Sequence, residues 1–142
     1  MKLVETWTSI NNRLKELPYK VYESAMPDEI EVEFVDGYVV PYYVIRHGSP
    51  TEAHTGKGII GTRDNTHRSS FLVTIVSFSN DSLNEMTAAA IDKLQGFRPV
   101  DGSELRLFGG MSFSSTESIV RPTTYRRTIT FTYLNNLTVG NY

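Results

Sequence analysis

The stretch from Phe71 to Gly96 constrains the fold more than any other part of the chain. Residues 71–79 are apolar at both strand parities, which predicts a central strand that is covered on both faces. Ser82 stands three residues before Glu85, which is the capping-box arrangement that begins a helix, and Gly96 is a helix stop signal. One face of this helix carries an apolar stripe, made of Leu83, Met86, Ala90, Ile91 and Leu94. The segment therefore predicts a buried strand that leads directly into an amphipathic helix.

The other face of that helix has no large side chain. Glu85, Ala88, Ala89 and Asp92 lie towards it. Small residues allow another surface to approach closely, but they also favour helix formation by themselves. The sequence leaves both interpretations open.

A second amphipathic helix is predicted over residues 2–16. Its apolar stripe recurs at steps of four and three residues and consists of Leu3, Trp7, Ile10, Leu14 and Leu17. Pro18 ends the helix and disfavours helical backbone at Leu17. Two heptads are too few for a coiled coil, so we expect the stripe to pack on the sheet of its own domain.

The strands come in two groups. Before residue 48, we expect a short strand over residues 19–24, a hairpin that turns at Asp36-Gly37, and a strand that begins at Pro41. After residue 104, apolar residues keep strand parity up to residue 113, with a bulge at Gly109-Gly110. The last strand, residues 125–134, has Ile129, Phe131 and Tyr133 on one face and Thr128, Thr130 and Thr132 on the other.

The order of these elements predicts a single α+β domain over residues 1–142, with an antiparallel or mixed β-sheet flanked by the two helices. Residues 47–67 are polar and glycine-rich, and we interpret them as a long flexible arm between two paired strands. Residues 135–142 are expected to form a loose C-terminal tail.

Charge and composition exclude several classes of protein. The chain has no cysteine, so disulfides and thiolate metal sites are absent, and its net charge of −2 does not favour nucleic acid or an anionic membrane. No apolar run approaches the ~20 residues that span a bilayer. Residues 1–36 hold four basic and eight acidic residues, whereas residues 37–142 hold ten basic and eight acidic ones. This asymmetry could support head-to-tail association, although ordinary solvation also explains it.

No cluster of residues predicts catalysis or a cofactor. His47, His54 and His67 fall in the arm with Asp64, but no pair has the spacing of a helical metal site, and a flexible arm cannot hold ligands rigidly. The carboxylates do not converge, and the serine residues lack the nucleophile-elbow motif. We therefore expect a protein that is not an enzyme and needs no cofactor or metal.

Arg126 and Arg127 are adjacent on the last predicted strand, so their side chains should point to opposite sheet faces. One of them can form a pair within the sheet, while the other meets solvent, nucleic acid or a partner. Arg127 shares a face with Phe131 and Tyr133, and that face is the better candidate for the core.

Four segments of the chain resemble the tail terminator proteins of long-tailed, siphovirus-type bacteriophages. The first helix leads into "LPYKVYESAMPDE", which is similar to the family's opening strand and proline turn, and "VPYYVIRHG" resembles its next strand before a long variable loop. The centre, "HRSSFLVTIVSFSNDSLNEMTAAAIDKL", resembles the family's strand, polar cap and helix. The closing strand of the family is similar to "RRTITFTYL".

The resemblance implies a virion structural protein that assembles as a ring, which would be a hexamer. Such a ring caps the last layer of the tail tube, ends its growth and faces the head-tail connector, while genome DNA passes through the lumen without specific binding. It implies a location in the tail or neck of the virion, and in the host cytoplasm during assembly, with no catalysis and no cofactor.

A ring needs contacts between unlike surfaces of neighbouring copies, and a polar arm is suited to wrapping a neighbour. The expected subunit-interface residues lie in or beside the arm and on the last strand: Lys57, Ile59, Ile60, Arg63, Asp64, Arg68, Arg126 and Arg127. Two alternatives stay open. One is another phage neck protein, such as a head-completion or connector subunit, and the other is an α+β ligand-binding module unrelated to phages.

Overall fold

A computed structural model describes residues 2–23, 34–48, 51–52, 66–108, 112–116 and 124–136. In chain order the elements are α1 (Lys2–Leu14), β1 (Lys20–Glu23), β2 (Phe34–Val35), β3 (Tyr38–Val39), β4 (Tyr42–His47), β5 (Thr51–Glu52), β6 (Thr66–Ser77), α2 (Asn80–Leu94), β7 (Arg106–Leu107), β8 (Ser112–Thr116) and β9 (Thr124–Asn136). The predicted α+β class is confirmed.

The main sheet is mixed. Its strand order is β1-β4-β6-β9, with β5 beside β6 and with β7 and β8 both on the outer side of β9. β1 runs parallel to β4, while the other pairs in this sheet are antiparallel. β6 and β9 pair over their whole length, from Thr66 opposite Asn136 to Ser77 opposite Tyr125, and they form the centre of the sheet.

The hydrophobic core lies between this sheet and the two helices. Ile10 and Leu14 of α1 are fully buried in the same cluster as Phe71 and Phe131 of the central strands, as is Met86 of α2. The phenyl rings of Phe71 and Phe131 are stacked, with centroids 5.3 Å apart. The stripe of α1 therefore packs within its own domain, as predicted.

The two helices are also tied together by polar contacts. Nε of Arg13 in α1 donates to the carbonyl of Lys93 in α2 at 3.0 Å. The carboxylate of Glu16, just after α1, forms an ion pair with Nζ of Lys93 at 2.8 Å. The hydroxyl of Thr6 donates to the carbonyl of Val100, beyond the end of α2. Burial and these contacts fix α1 beside α2 on one face of the sheet.

α2 begins three residues earlier than the predicted capping box implies. The N-cap is Ser79, which has extended backbone (φ −150°, ψ 158°) and accepts a hydrogen bond from the amide of Ser82 through its hydroxyl. Ser82 is thus the third helical residue, and its own hydroxyl accepts from the hydroxyl of Ser77. The predicted stop at Gly96 agrees with its positive φ of 82°, which favours glycine.

β6 is covered on only one face for most of its length, which corrects the prediction of a strand buried on both sides. Val76 is buried in a second, small cluster with Val39, Tyr42 and Val44. Leu72 on the same face is 37% exposed, and Phe78, just beyond the strand, is 42% exposed. The reason is that α1 and α2, the two helices in the described part of the chain, both pack on the opposite face.

The predicted hairpin turn is confirmed. Asp36 and Gly37 have φ values of 53° and 84°, as a type I′ turn requires, and they join β2 to β3. The sequence before Phe34 and the predicted bulge at Gly109-Gly110 lie outside the described residues.

The predicted arm and tail differ from the structure at their ends. His47 is the last residue of β4, β6 begins at Thr66, and β5 pairs with Arg68 and His67. Residues 47–67 were predicted as a loop, but antiparallel pairing with β6 continues the sheet into both ends of this range. β9 likewise continues to Asn136, whereas the rest of the arm and residues 137–142 lie outside the described residues.

Candidate assembly surfaces

The sheet face opposite the helices carries a set of arginine residues. Residues that pair across adjacent strands point to the same face, so the register aligns Arg46, Leu72 and Thr130 across β4, β6 and β9, and it places Arg106 beside Thr132. Arg126 pairs with Val76, and Arg68 lies on the same face at the other end of β6. We call this surface the open sheet face. Its rim is Arg46, Arg68, Arg106 and Arg126, and its floor is Leu72, Thr74, Thr128, Thr130 and Thr132.

Counted over the strand residues that the structure describes, the open sheet face is positively charged, although the whole chain has a net charge of −2. Among the described strand positions that the register places on it, none is Asp or Glu. Lys20 of β1 adds a fifth cation on the same side, opposite Tyr42. The carboxylate of Glu104, just before β7, approaches Nη2 of Arg106 at 4.0 Å. A surface of this kind attracts an anionic partner.

The floor of this face is mostly polar, whereas Tyr42, Val44 and Val76 on the same face are buried against Val39 of the hairpin. The hydroxyls of Thr74 and Thr128 lie 3.2 Å apart, within hydrogen-bonding distance, and threonine side chains continue along β9. The sequence predicted these threonine residues on one face and the aromatic residues on the other, and the burial of Ile129, Phe131 and Tyr133 confirms it.

Arg126 and Arg127 point to opposite faces, as predicted. Nη1 of Arg127 donates to the side-chain oxygen of Asn84 at 2.8 Å and to the hydroxyl of Thr87 at 3.3 Å, which ties α2 to β9 of the same chain. Arg126 lies on the open sheet face near Tyr42. Burial raises the pKa of the Tyr42 phenol, and the charge of Arg126 acts in the opposite direction.

The outer face of α2 is acidic and short of large side chains. Asp81, Glu85, Ala88 and Asp92 are exposed and follow each other at steps of four, three and four residues, so they form one narrow stripe. The buried residues of α2, such as Met86 and Ala90, lie on the other side of the helix. We call this stripe the acidic helix face. It points away from the sheet, and so it lies on the opposite side of the domain from the open sheet face.

An exposed apolar patch lies beside the hairpin of β2 and β3. Phe34, Val35 and Tyr38 are 56%, 60% and 49% exposed, and the ring of Phe78 packs edge-on against Tyr38 at 6.1 Å. The adjoining groove has a volume of about 520 Å³ and is lined mainly by apolar side chains, among them Val39 and Pro41. Contiguous exposed apolar surface of this kind is typical of protein–protein contacts.

Only three of the eight residues predicted at the subunit interface can be placed. Arg68 and Arg126 lie at opposite ends of the open sheet face, and Arg127 lies on the helix side. Lys57, Ile59, Ile60, Arg63 and Asp64 are outside the described residues, so their role stays a prediction. Sequence reasoning missed Arg46 and Arg106, because their alignment depends on which strands pair.

Two of the three histidine residues of the predicted arm, His47 and His67, lie on different strands. Nε2 of His47 donates to the side-chain oxygen of Asn11 at 2.8 Å, and the ring stacks on Trp7 with centroids 5.0 Å apart. His67 lies in β6, and His54 is outside the described residues. Within the part of the chain that the structure describes, no group of three His, Asp or Glu side chains could hold a metal ion.

Burial of His47 predicts a pH-dependent stability. Burial lowers the pKa of this imidazole to about 4, while Glu23 on β1 acts weakly in the other direction. As the pH falls, the imidazole is protonated in the unfolded chain first, near pH 6.5. The contribution of neutral His47 to the free energy of unfolding is therefore fully present above about pH 6.5 and is lost as the pH falls towards 4. After allowance for screening of the partly exposed ring, we expect the free energy of unfolding to fall by about 2 kcal/mol over this pH range.

Urea unfolding at pH 7.5 and pH 4.5 measures this loss, with His47→Gln as the matched variant. The variant can still donate to Asn11 but does not titrate. Carboxylates contribute equally in both proteins, so the difference between them isolates His47. Equal losses in the two proteins would contradict the assignment.

Neither helix of the described residues is long and apolar enough to cross a membrane.

Comparisons with known proteins identify a similar fold. No family model matches the sequence, and no curated protein matches it. A chain from the solved structure described as "Virion of native gene transfer agent (GTA) particle" has a similar fold, with a TM-score of 0.55 and 12% sequence identity. The similarity covers 94% of this chain and 97% of that chain, so it extends over the whole architecture of both chains rather than over a shared fragment.

Proposed function

We propose that this protein is a structural component of a phage or phage-like virion. The observation that carries the proposal is the fold shared over nearly the full length of both chains with a component of a gene transfer agent virion. The sequence resemblance to phage tail proteins rests on residue patterns rather than on the fold, and it supports the same conclusion. The exposed apolar patch and the two oppositely charged faces suit a subunit that has several neighbours.

Within the virion, we infer the role of a tail terminator. Copies would form a hexameric ring. The ring would cap the tail tube, end its polymerisation and bind the head-tail connector. Genome DNA would pass through the lumen without specific binding. The protein would reach this position in the neck after assembly in the host cytoplasm. The role requires no catalysis, and the proposal assigns none.

The experiment uses the purified protein alone and with the tail-tube protein of the same phage. We expect annular particles of uniform mass by light scattering and negative-stain microscopy. We also expect tubes of defined length when the protein is present and overlong tubes when it is omitted. Unchanged tube growth in the presence of the protein would contradict the terminator role.

The same experiment separates the alternative neck role. A ring that binds the connector protein but never the tube would indicate a connector or head-completion subunit. A protein that binds neither one would exclude both readings. A control with heat-denatured protein shows whether any effect on tube length depends on the fold.

A further inference from the structure

We propose that the acidic helix face of one copy docks on the open sheet face of a second copy. The inference rests on the proposed ring, because it specifies the contact from which such a ring would be built. It joins Asp81, Glu85 and Asp92 to Arg46 and Arg106, the two arginine residues of the rim that lie across the strands from each other.

Charge complementarity is the first argument. Arg46 and Arg106 are exposed on a face where no described strand position is acidic, and the carboxylate of Glu104, outside the strands, lies 4.0 Å from Nη2 of Arg106. The acidic helix face has three carboxylates, and the only basic residue of α2, Lys93, is engaged by Glu16 of the same chain. Each copy therefore carries both halves of a matched pair on opposite sides of the domain, so the two halves can meet only between copies.

Shape is the second argument. From Asp81 to Asp92 the helix rises by ~16 Å at ~1.5 Å per residue. Arg46 and Arg106 lie on strands three spacings apart, which is ~14 Å at ~4.8 Å per spacing. The stripe of α2 is thus about as long as the span from Arg46 to Arg106 across the strands.

The small size of Ala88 is the third argument. It stands in the middle of the acidic stripe, where a large side chain would hold the helix away from any surface. The floor of the open sheet face is made of threonine residues and Leu72, which a helix can approach closely. Leu72 is more than one-third exposed in the single chain, and a helix placed there would bury it.

The layer architecture supports a copy of this chain as the occupant. The two helices that the structure describes both pack on the same face of the sheet, and Leu72 is exposed on the other face. A helix from the next copy would complete the second layer. Because the two surfaces are unlike, the contact repeats from copy to copy, and it closes into a ring when successive copies are rotated about a common axis.

Two charge-reversal variants test the contact. The helix variant combines Glu85→Lys with Asp92→Lys, and the sheet variant combines Arg46→Glu with Arg106→Glu. All four side chains are exposed, so the folded monomer should tolerate the changes. Glu5→Lys and Arg98→Glu, also exposed but away from both faces, are the matched controls.

Each reversal variant alone should weaken self-association by 10-fold or more, measured by light scattering and sedimentation at low ionic strength, while the controls assemble like the wild type. An equimolar mixture of the two variants should recover assembly, because every contact then joins opposite charges again. Assembly of the wild type should also weaken as salt is raised. Circular dichroism confirms that each variant is folded.

Three results would overturn the proposal. Reversal variants that assemble like the wild type would show that rings form through other surfaces, which leaves the terminator role intact. A mixture that fails to recover would show that the two faces do not meet. If duplex DNA binds the wild type and the helix variant but not the sheet variant, the open sheet face is a DNA-binding surface instead.

Failure of the proposed function gives a different result. If the charge-dependent contact holds but produces only open chains of variable mass, the docking is right and the closed ring is wrong. If the wild type stays monomeric at all concentrations, with and without the tube protein, both are wrong.

Discussion

Replacing Phe71 with alanine should lower the free energy of unfolding by about 3–5 kcal/mol, which is enough to unfold a domain of ordinary stability. Phe71 is 1% exposed and lies at the centre of the longest strand pair, opposite Phe131. Its ring stacks on Phe131 and packs against His47 at 5.4 Å. Truncation removes the apolar contacts of a whole ring and leaves a cavity between the sheet and α1.

The adjacent residue provides the control. Leu72→Ala on the same strand should cost about 1 kcal/mol or less, because Leu72 points to the open sheet face and is 37% exposed. Urea unfolding of the two variants at pH 7.5 measures the difference directly. Similar costs at both positions would contradict the assignment of the helices to one face of the sheet.

Replacing Ala88 with tryptophan should abolish self-association without destabilising the single chain. Ala88 is exposed at the centre of the acidic helix face, so the indole can extend into solvent in the monomer. In the proposed docked pair it would meet the threonine floor of the next copy and hold the helix several ångströms away. We expect a loss of association of about 100-fold, because the packing and the charge pairs are lost together.

The control for this variant is Thr8→Trp, an exposed position on the outer side of α1. Mass determination by light scattering, together with thermal unfolding, separates a loss of assembly from a loss of fold. Normal rings from Ala88→Trp would exclude α2 from the interface. This steric test does not depend on charge, so it complements the reversal experiment.

Local sequence chemistry was sufficient to predict most elements of the fold. The stripe of α1, the positive-φ turn at Asp36-Gly37 and the alternation of β9 are each determined by a few neighbouring residues, and the structure has all three. The start of α2 was misplaced because Ser79 and Ser82 are both acceptable caps, and only the extended backbone at Ser79 decides between them.

The assembly surfaces were harder to predict because they depend on contacts between distant segments. The apolar residues of β6 gave no sign that α1 and α2 would pack on the same side and leave Leu72 uncovered. Arg46, Arg106 and Arg126 come from three strands, and their shared face follows only from the strand order and register. A candidate interface made of one residue per strand has no signature in a single sequence.

The strands at the two margins of the sheet are short. β1 has four residues, and the far side of β9 is divided between β7, with two residues, and β8, with five. Short margins offer few consecutive backbone groups to a strand from another molecule, which protects a protein against fibrous aggregation. At high local concentration, copies of this protein would therefore meet as finished units, and the size of any assembly would be limited by the shape of the folded subunit rather than by an endlessly extendable ladder.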